Sequence, residues 1–105
     1  MINDGIPDVF TIATVSPGRL EARGDLSYAT AVQALKAGIA LIQRDQTSTI
    51  DMSNVSEADS AGLAVLVEWL ATARARNAVV RYEGIPAQIL AVARISELDE
   101  LLTAH

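Results

Sequence analysis

Between Val9 and Ser16 the chain runs Val-Phe-Thr-Ile-Ala-Thr-Val-Ser, dense in β-branched residues and ending at the turn dipeptide Pro17-Gly18. Arg19–Arg23 alternates polar and apolar side chains and reads as the hairpin partner of that strand, closed by Gly24. The period then changes. Val32, Leu35, Ile39 and Ile42 recur at helical spacing through Tyr28–Arg44, which predicts a helix exposing Gln33, Lys36, Gln43 and Arg44. Ser48–Ser53 returns to alternation, with Ile50 and Met52 on one face and Asp51 and Ser53 on the other. A short loop leads into a helix predicted from about Ala61 to Arg76, with Asn77 as its stop. Ala78–Glu83 reads as a strand, and Gly84-Ile85-Pro86 as a turn with proline near the start of the next helix. Ile89, Val92 and Ala93 mark that helix through about Ile95, and Leu98–Leu102 adds a final turn or two. The predicted order is β-β-α-β-α-β-α, an α/β layer of about four strands with helices packed on it. With 105 residues, no internal repeat and no low-complexity linker, residues 1–105 read as a single domain.

The helix after Ser60 repays a finer reading. At about 100° per residue, Leu63, Leu66, Val67, Leu70 and Ala73 share one arc, the predicted core face, with Glu68 and Thr72 opposite. Val65 and Trp69 fall on a shoulder beyond it, continued by Arg76. Two readings stand side by side. The shoulder covers a sheet edge or a neighbouring helix, or it is a partner-facing stripe in which the lone tryptophan is the anchor. At the helix start, Asp59 and Ser60 are both candidate caps for the free N–H groups of the first turn, and Asp59 also suits the positive end of the helix dipole. Gly62 costs roughly 1 kcal/mol relative to alanine inside a helix, which implies that another backbone or a partner comes close there.

Composition excludes more than it identifies. Half of the residues are hydrophobic but only four are aromatic, so the core rests on Val, Ile, Leu and Ala. The absence of cysteine removes disulfides, thiolate catalysis and Cys-ligated zinc. A net charge of −5, one lysine and scattered arginines argue against non-specific nucleic-acid binding. "MINDGIPDVF" lacks the basic and apolar regions of a signal peptide. The longest apolar stretch, Gly62–Ala71, is interrupted by Glu68 and is too short to span a bilayer. The expectation is a soluble, cytoplasmic chain that reaches a membrane only through another protein.

Catalytic chemistry is sparse. There is no phosphate loop and no dinucleotide fingerprint. His105, the only histidine, is the last residue and a poor general base, so a Ser-His-Asp triad is not expected. Glu57 and Asp59 form a carboxylate pair two residues apart, more in keeping with loop charges or caps than with acid–base work. The expectation is a non-catalytic chain with no cofactor and no metal.

The run "IDMSNVSEADSAGLAVLVEWLATA" resembles the signature of STAS domains: a strand ending Asp-Leu/Met-Ser, a short loop, Asp-Ser-x-Gly-Leu, then an apolar helix. "GDLSYATAVQAL", Gly24–Leu35, is similar to the Gly-x-Leu stretch that opens the first helix of the family. The resemblance covers nearly the whole chain and implies a STAS-like fold with a roughly four-stranded mixed sheet and three to four helices. In anti-sigma factor antagonists of the family the serine just before the glycine is phosphorylated by a partner kinase. That position here is Ala61, which has no hydroxyl, leaving Ser60 as the possible phosphoacceptor in a shifted register. Asp59-Ser60-Ala61-Gly62-Leu63 is similar at every place to the small stand-alone, MlaB-like STAS subunits of Mla-type phospholipid ABC transporters. That likeness implies a subunit that binds and supports an MlaF-like ATPase at the cytoplasmic face of the inner membrane, in a complex maintaining outer-membrane lipid asymmetry. Its expected partner-binding residues are Glu57, Asp59, Ser60, Ala61, Gly62, Leu63, Val65 and Trp69. The alternative it implies is an anti-sigma factor antagonist working as a phosphorylation-controlled binding switch.

Overall fold

A computed structural model of the protein describes residues 9–103. Their order is β1 (Phe10–Ser16), β2 (Arg19–Leu26), α1 (Ala31–Leu41), β3 (Thr47–Ala58), α2 (Ser60–Ala75), β4 (Val79–Glu83), α3 (Ala87–Ile95) and α4 (Asp99–Thr103). The sheet follows chain order, β1-β2-β3-β4. The hairpin β1–β2 is antiparallel, whereas β2–β3 and β3–β4 are parallel, so the sheet is mixed as expected. The two parallel crossovers run through α1 and α2, which pack on each other, α1 over β1 and α2 towards β4.

Two strands are longer than their patterns suggest. Gly24 does not close β2. It adopts φ +90°, and a Cβ there would run into the carbonyl of Val9, so a glycine lets the strand pass through an irregularity and continue to Leu26. With β2 prolonged, β3 keeps a partner beyond Ser53, and the expected loop Asn54–Ala58 is strand, pairing Asp25 with Glu57 and Leu26 with Ala58. The second half of β3 has a neighbour on one side only, since the β3–β4 pairing ends at Asp51 and Glu83.

One sheet face carries the core. Phe10, Leu20, Ala22, Leu26, Ile50, Met52, Val80 and Tyr82 are buried beneath the helices. Burial raises the Tyr82 phenol well above its ordinary pKa, and its hydroxyl donates to the Leu66 carbonyl at 2.7 Å. The opposite face bears a lattice of charge. Arg19 reaches Glu83 at 2.7 Å and Asp51 at 3.9 Å, while Arg23 and Asn54 both meet Glu21 at 3.0 Å. Hydrogen bonds from Ser53 hold the Asp51 carboxyl below its usual range, with Arg19 adding a smaller pull. Exposed pairs of this kind contribute little to stability.

The predicted stripe of α1 fails at one position: Val32 is 69% exposed, whereas Ile42 is buried and Leu35 and Ile39 pack against the core, with Ala34 and Gly38 buried beside them. The cause lies on α2. Trp69 packs into the space above Gly38, where a Cβ would overlap the indole, so α1 centres its smallest residues on that contact. The α2 stop is as predicted. Asn77 takes φ +54°, Asn77 N–H donates to Arg74 O and Ala78 N–H to Ala73 O, closing a Schellman motif. Arg76 does not extend a shoulder but lays its guanidinium over the end of α1, donating to Ile39 O at 2.8 Å and Ile42 O at 2.7 Å.

The end of α3 repeats the Schellman geometry with a less suitable residue. Glu97 takes φ +59°, its N–H donates to Arg94 O, and Leu98 N–H donates to Ala93 O at 2.7 Å. A side chain is disfavoured in that left-handed conformation, and a carboxylate is also badly placed at the negative end of a helix. Glu97→Gly should therefore raise unfolding free energy by about 0.5–1 kcal/mol, measured by urea denaturation. Unchanged or lower stability would show that Glu97 makes a compensating contact.

Candidate functional site

The two stretches that carried the resemblance meet at the carboxyl ends of β2 and β3. Asp59 is the N-cap of α2: its Oδ1 accepts from Ala61 N–H at 2.9 Å. Its Oδ2 accepts from Tyr28 N–H at 3.0 Å, so one carboxylate fixes both the helix start and the β2–α1 connection. That connection is secured from inside by Thr30, fully buried, whose hydroxyl donates to Asp25 O at 2.9 Å and accepts from Ser27 N–H at 3.0 Å. Gly62 completes the junction. A Cβ there would lie 2.5 Å from the Leu26 carbonyl oxygen and 3.1 Å from Ile89, so the close approach it permits is that of the chain's own backbone.

The expected partner-binding residues separate into two groups. Glu57 and Ser60 are exposed, and Ala61 and Asp59 are half-buried at the rim. Gly62, Leu63, Val65 and Trp69 are interior. Val65 is 3% exposed and Trp69 is 0%, so the proposed partner-facing stripe is core. The indole lies against Phe10, ring centroids 6.2 Å apart, and its Nε1 donates to Leu35 O at 3.2 Å. Helical periodicity placed these two residues outside the core arc because that arc was drawn for a helix lying on a sheet alone. α2 packs on α1, β4 and α3 together and buries a wider sector. Ser60 is also corrected: it occupies the first helical position, exposed, while Asp59 makes the cap. His105 lies outside the described residues.

What α2 presents outward is a ridge of Ser60, Ala64 and Glu68 with an apolar groove on either side. The groove against α1, about 180 Å³, is lined by Ala31, Val32, Leu35, Ala61, Ala64 and Val65, with Glu68 at its end. The groove against α3, about 400 Å³, adds Leu63, Val67, Val92 and Leu98. Tyr28, 86% exposed, stands beside the start of α2, where its N–H meets the Asp59 carboxylate. Tyr28 and Val32 were overlooked in sequence because both were assigned to a helix and its core stripe. The signal was there: an aromatic in the polar stretch before a helix has no stripe to join. Small residues along a ridge between apolar grooves let a second protein approach closely, and the surrounding carboxylates favour a cationic rim on it. Among the described residues no group of side chains is arranged to hold a metal ion, and no helix is long and apolar enough to cross a membrane.

A family model described as "Mlab, STAS domain" matches residues 10–103. Among solved structures, the anti-sigma factor antagonist SpoIIAA in its unphosphorylated form is similar at TM-score 0.65 and 16% identity, over 87% of this chain and 83% of that one. An anti-sigma factor antagonist from Mycobacterium paratuberculosis gives TM-score 0.65 and 21% identity, over 91% and 85%. A sulfate transporter family protein from Wolinella succinogenes gives 0.60 and 17%, over 86% and 74%. At such identities these likenesses establish the fold. A search of curated protein sequences gave no match.

Proposed function

The chain belongs to the STAS domain family, and from that premise we propose that it is the small STAS subunit of an Mla-type phospholipid ABC transporter, docking through the α2 ridge onto the ATPase. STAS domains are generally non-catalytic binding modules. The observation that carries the finer reading is Ala61, at the position where signalling members of the family bear a phosphorylated serine. Its backbone N–H is already engaged by Asp59, and its methyl group lines the apolar groove against α1. A site built this way binds constitutively, with no hydroxyl there to switch it off. The family model's description points the same way. The docking residues in this reading are Glu57, Ser60 and Ala61 from the motif, joined by Tyr28, Val32, Ala64 and Glu68. Asp59, Gly62, Leu63, Val65 and Trp69 hold that surface in shape from beneath. The subunit is then peripheral at the cytoplasmic face of the inner membrane, held there by an MlaF-like ATPase.

Co-purification of the tagged protein from membranes of its native host tests this, with an ATPase and a permease as the expected companions. Ser60→Ala should leave stability within about 0.5 kcal/mol of wild type, because Asp59 is the cap. Ser60→Arg should abolish co-purification while the thermal transition is retained. Recovery of a kinase that phosphorylates Ser60, in place of the transporter, would support the anti-sigma antagonist reading instead.

A further inference from the structure

We propose that the cleft between the end of α1 and the amino ends of β2 and β3 is a binding site for a small uncharged polyol. It lies at the opposite end of the sheet from the start of α2, so the inference stands independently of the proposed ATPase docking. Thr14, Leu20 and Ser48 form its floor on the inner face of the sheet, Thr14 pairing with Leu20 across the hairpin. Leu41 at the end of α1 and Pro17 in the turn supply apolar walls, and Gln43, Gln46 and Thr47 supply amide and hydroxyl groups. The volume is about 270 Å³, just below the range of about 300–1,000 Å³ usual for drug-sized ligands, which suits a small molecule.

Ser48 is the residue that points to a ligand. It is 8% exposed, a buried polar side chain like Thr30. Thr30 commits its hydroxyl to the chain, donating to Asp25 O and accepting from Ser27 N–H. The Ser48 hydroxyl makes no hydrogen bond to a described residue, yet no side-chain oxygen or nitrogen among those residues is sealed off without a partner. Its Oγ therefore keeps access through the cleft that it lines. A hydroxyl so placed is costly to leave unmet and is matched best by a ligand group that both donates and accepts.

The surroundings select the class. Among the described residues no charged side chain lines the cleft. The negative end of α1 beside it is already met by Arg76, which donates to Ile39 O and Ile42 O. An ion of either sign would lose hydration there and gain no counter-charge. A polyol offers hydroxyls to Ser48, Thr47 and the two glutamine amides, and C–H surface to Leu20, Leu41 and Pro17. The walls are also held from outside. Thr49 N–H donates to Gly18 O and Val79 N–H to Gln46 O, both at 2.9 Å, and Asn77 Nδ2 donates to Asp45 Oδ1 at 2.8 Å. A site fixed in this way loses little freedom when it binds.

The test is a two-dimensional amide NMR titration of the full chain with myo-inositol and glycerol, with inorganic phosphate and acetate as charged probes. A polyol should shift the backbone amides of Thr47 and Ser48 and the side-chain amides of Gln43 and Gln46, saturating in the range of roughly 1–10 mM. Ser48→Ala should weaken that binding roughly three- to tenfold and leave the thermal transition in place, because no protein bond is lost. Gln46→Ala, an exposed position, provides a second variant should Ser48→Ala not fold. No saturable shift from either polyol, equal shifts from phosphate or acetate, or binding indifferent to the folded variant would each overturn the proposal.

Discussion

Trp69→Ala should cost the fold about 3–5 kcal/mol, the usual loss for truncating a buried large aromatic. The side chain has no exposed surface, touches Phe10 across the inner face of the sheet, and fills the space left open by Gly38 on the neighbouring helix. Truncation opens a cavity between three elements that are held rigidly by their own backbone bonds, so collapse into it is limited. It also strips the Leu35 carbonyl of the hydrogen bond from the indole. Domains of this size are stable by only about 5–15 kcal/mol, so a large share of the total is at stake. Urea denaturation followed by far-UV circular dichroism is the suitable measurement, because the substitution removes the only tryptophan fluorophore. A loss below about 1 kcal/mol together with failed partner binding would return Trp69 to the surface and overturn the packing described here.

Gly38→Ala is the complementary experiment, and its sign runs against helix propensity. In an isolated helix alanine gains roughly 1 kcal/mol over glycine. Here the added methyl would overlap the ring atoms of Trp69, with neither α1 nor the indole free to retreat, and overpacking of this kind typically costs about 1–3 kcal/mol. Net destabilisation is expected. The two sites are in direct contact and should couple. In a Trp69→Leu background the methyl has room, and Gly38→Ala should become neutral or stabilising, giving an interaction energy of about 1–3 kcal/mol in a double-mutant cycle. Additive effects would mean that the glycine is required for some other reason.

That pair also marks where the sequence stops being readable. Periodicity along α2 located the helix, its stop at Asn77 and most of its core face, because those features depend on residues close together in the chain. Trp69 was misplaced because its burial depends on a missing side chain thirty-one positions earlier, and an absence on another element leaves no trace in α2's own pattern. For the same reason Val32 falls off the predicted α1 stripe while Leu35, Ile39 and Ile42 stay on it: α1 orients to accommodate the indole, with Ala34 and Gly38 inward. The strand pattern ended too early at Gly24 and Ser53, since glycine and polar residues signal termination unless two irregular strands prolong each other. Within the motif, periodicity could not separate Glu57 and Ser60, which are exposed, from Gly62, Leu63, Val65 and Trp69, which are buried. The bond from Tyr28 N–H to Asp59 spans two connections, and neither sequence segment alone suggests it.

The sheet order has a further consequence, for how the chain is made. Each strand lies beside the one synthesised just before it, so no strand has to be inserted between two that are already paired. As the polypeptide leaves the ribosome at about 5–20 residues per second, the β1–β2 hairpin can close first and β3 and β4 can be added in turn to a growing edge. The indole arrives with α2, after β1, β2, α1 and β3 have been made. The recess above Gly38 therefore has no occupant until about two-thirds of the chain has been synthesised, and α1 can take its final seat only once Trp69 is there to fill it.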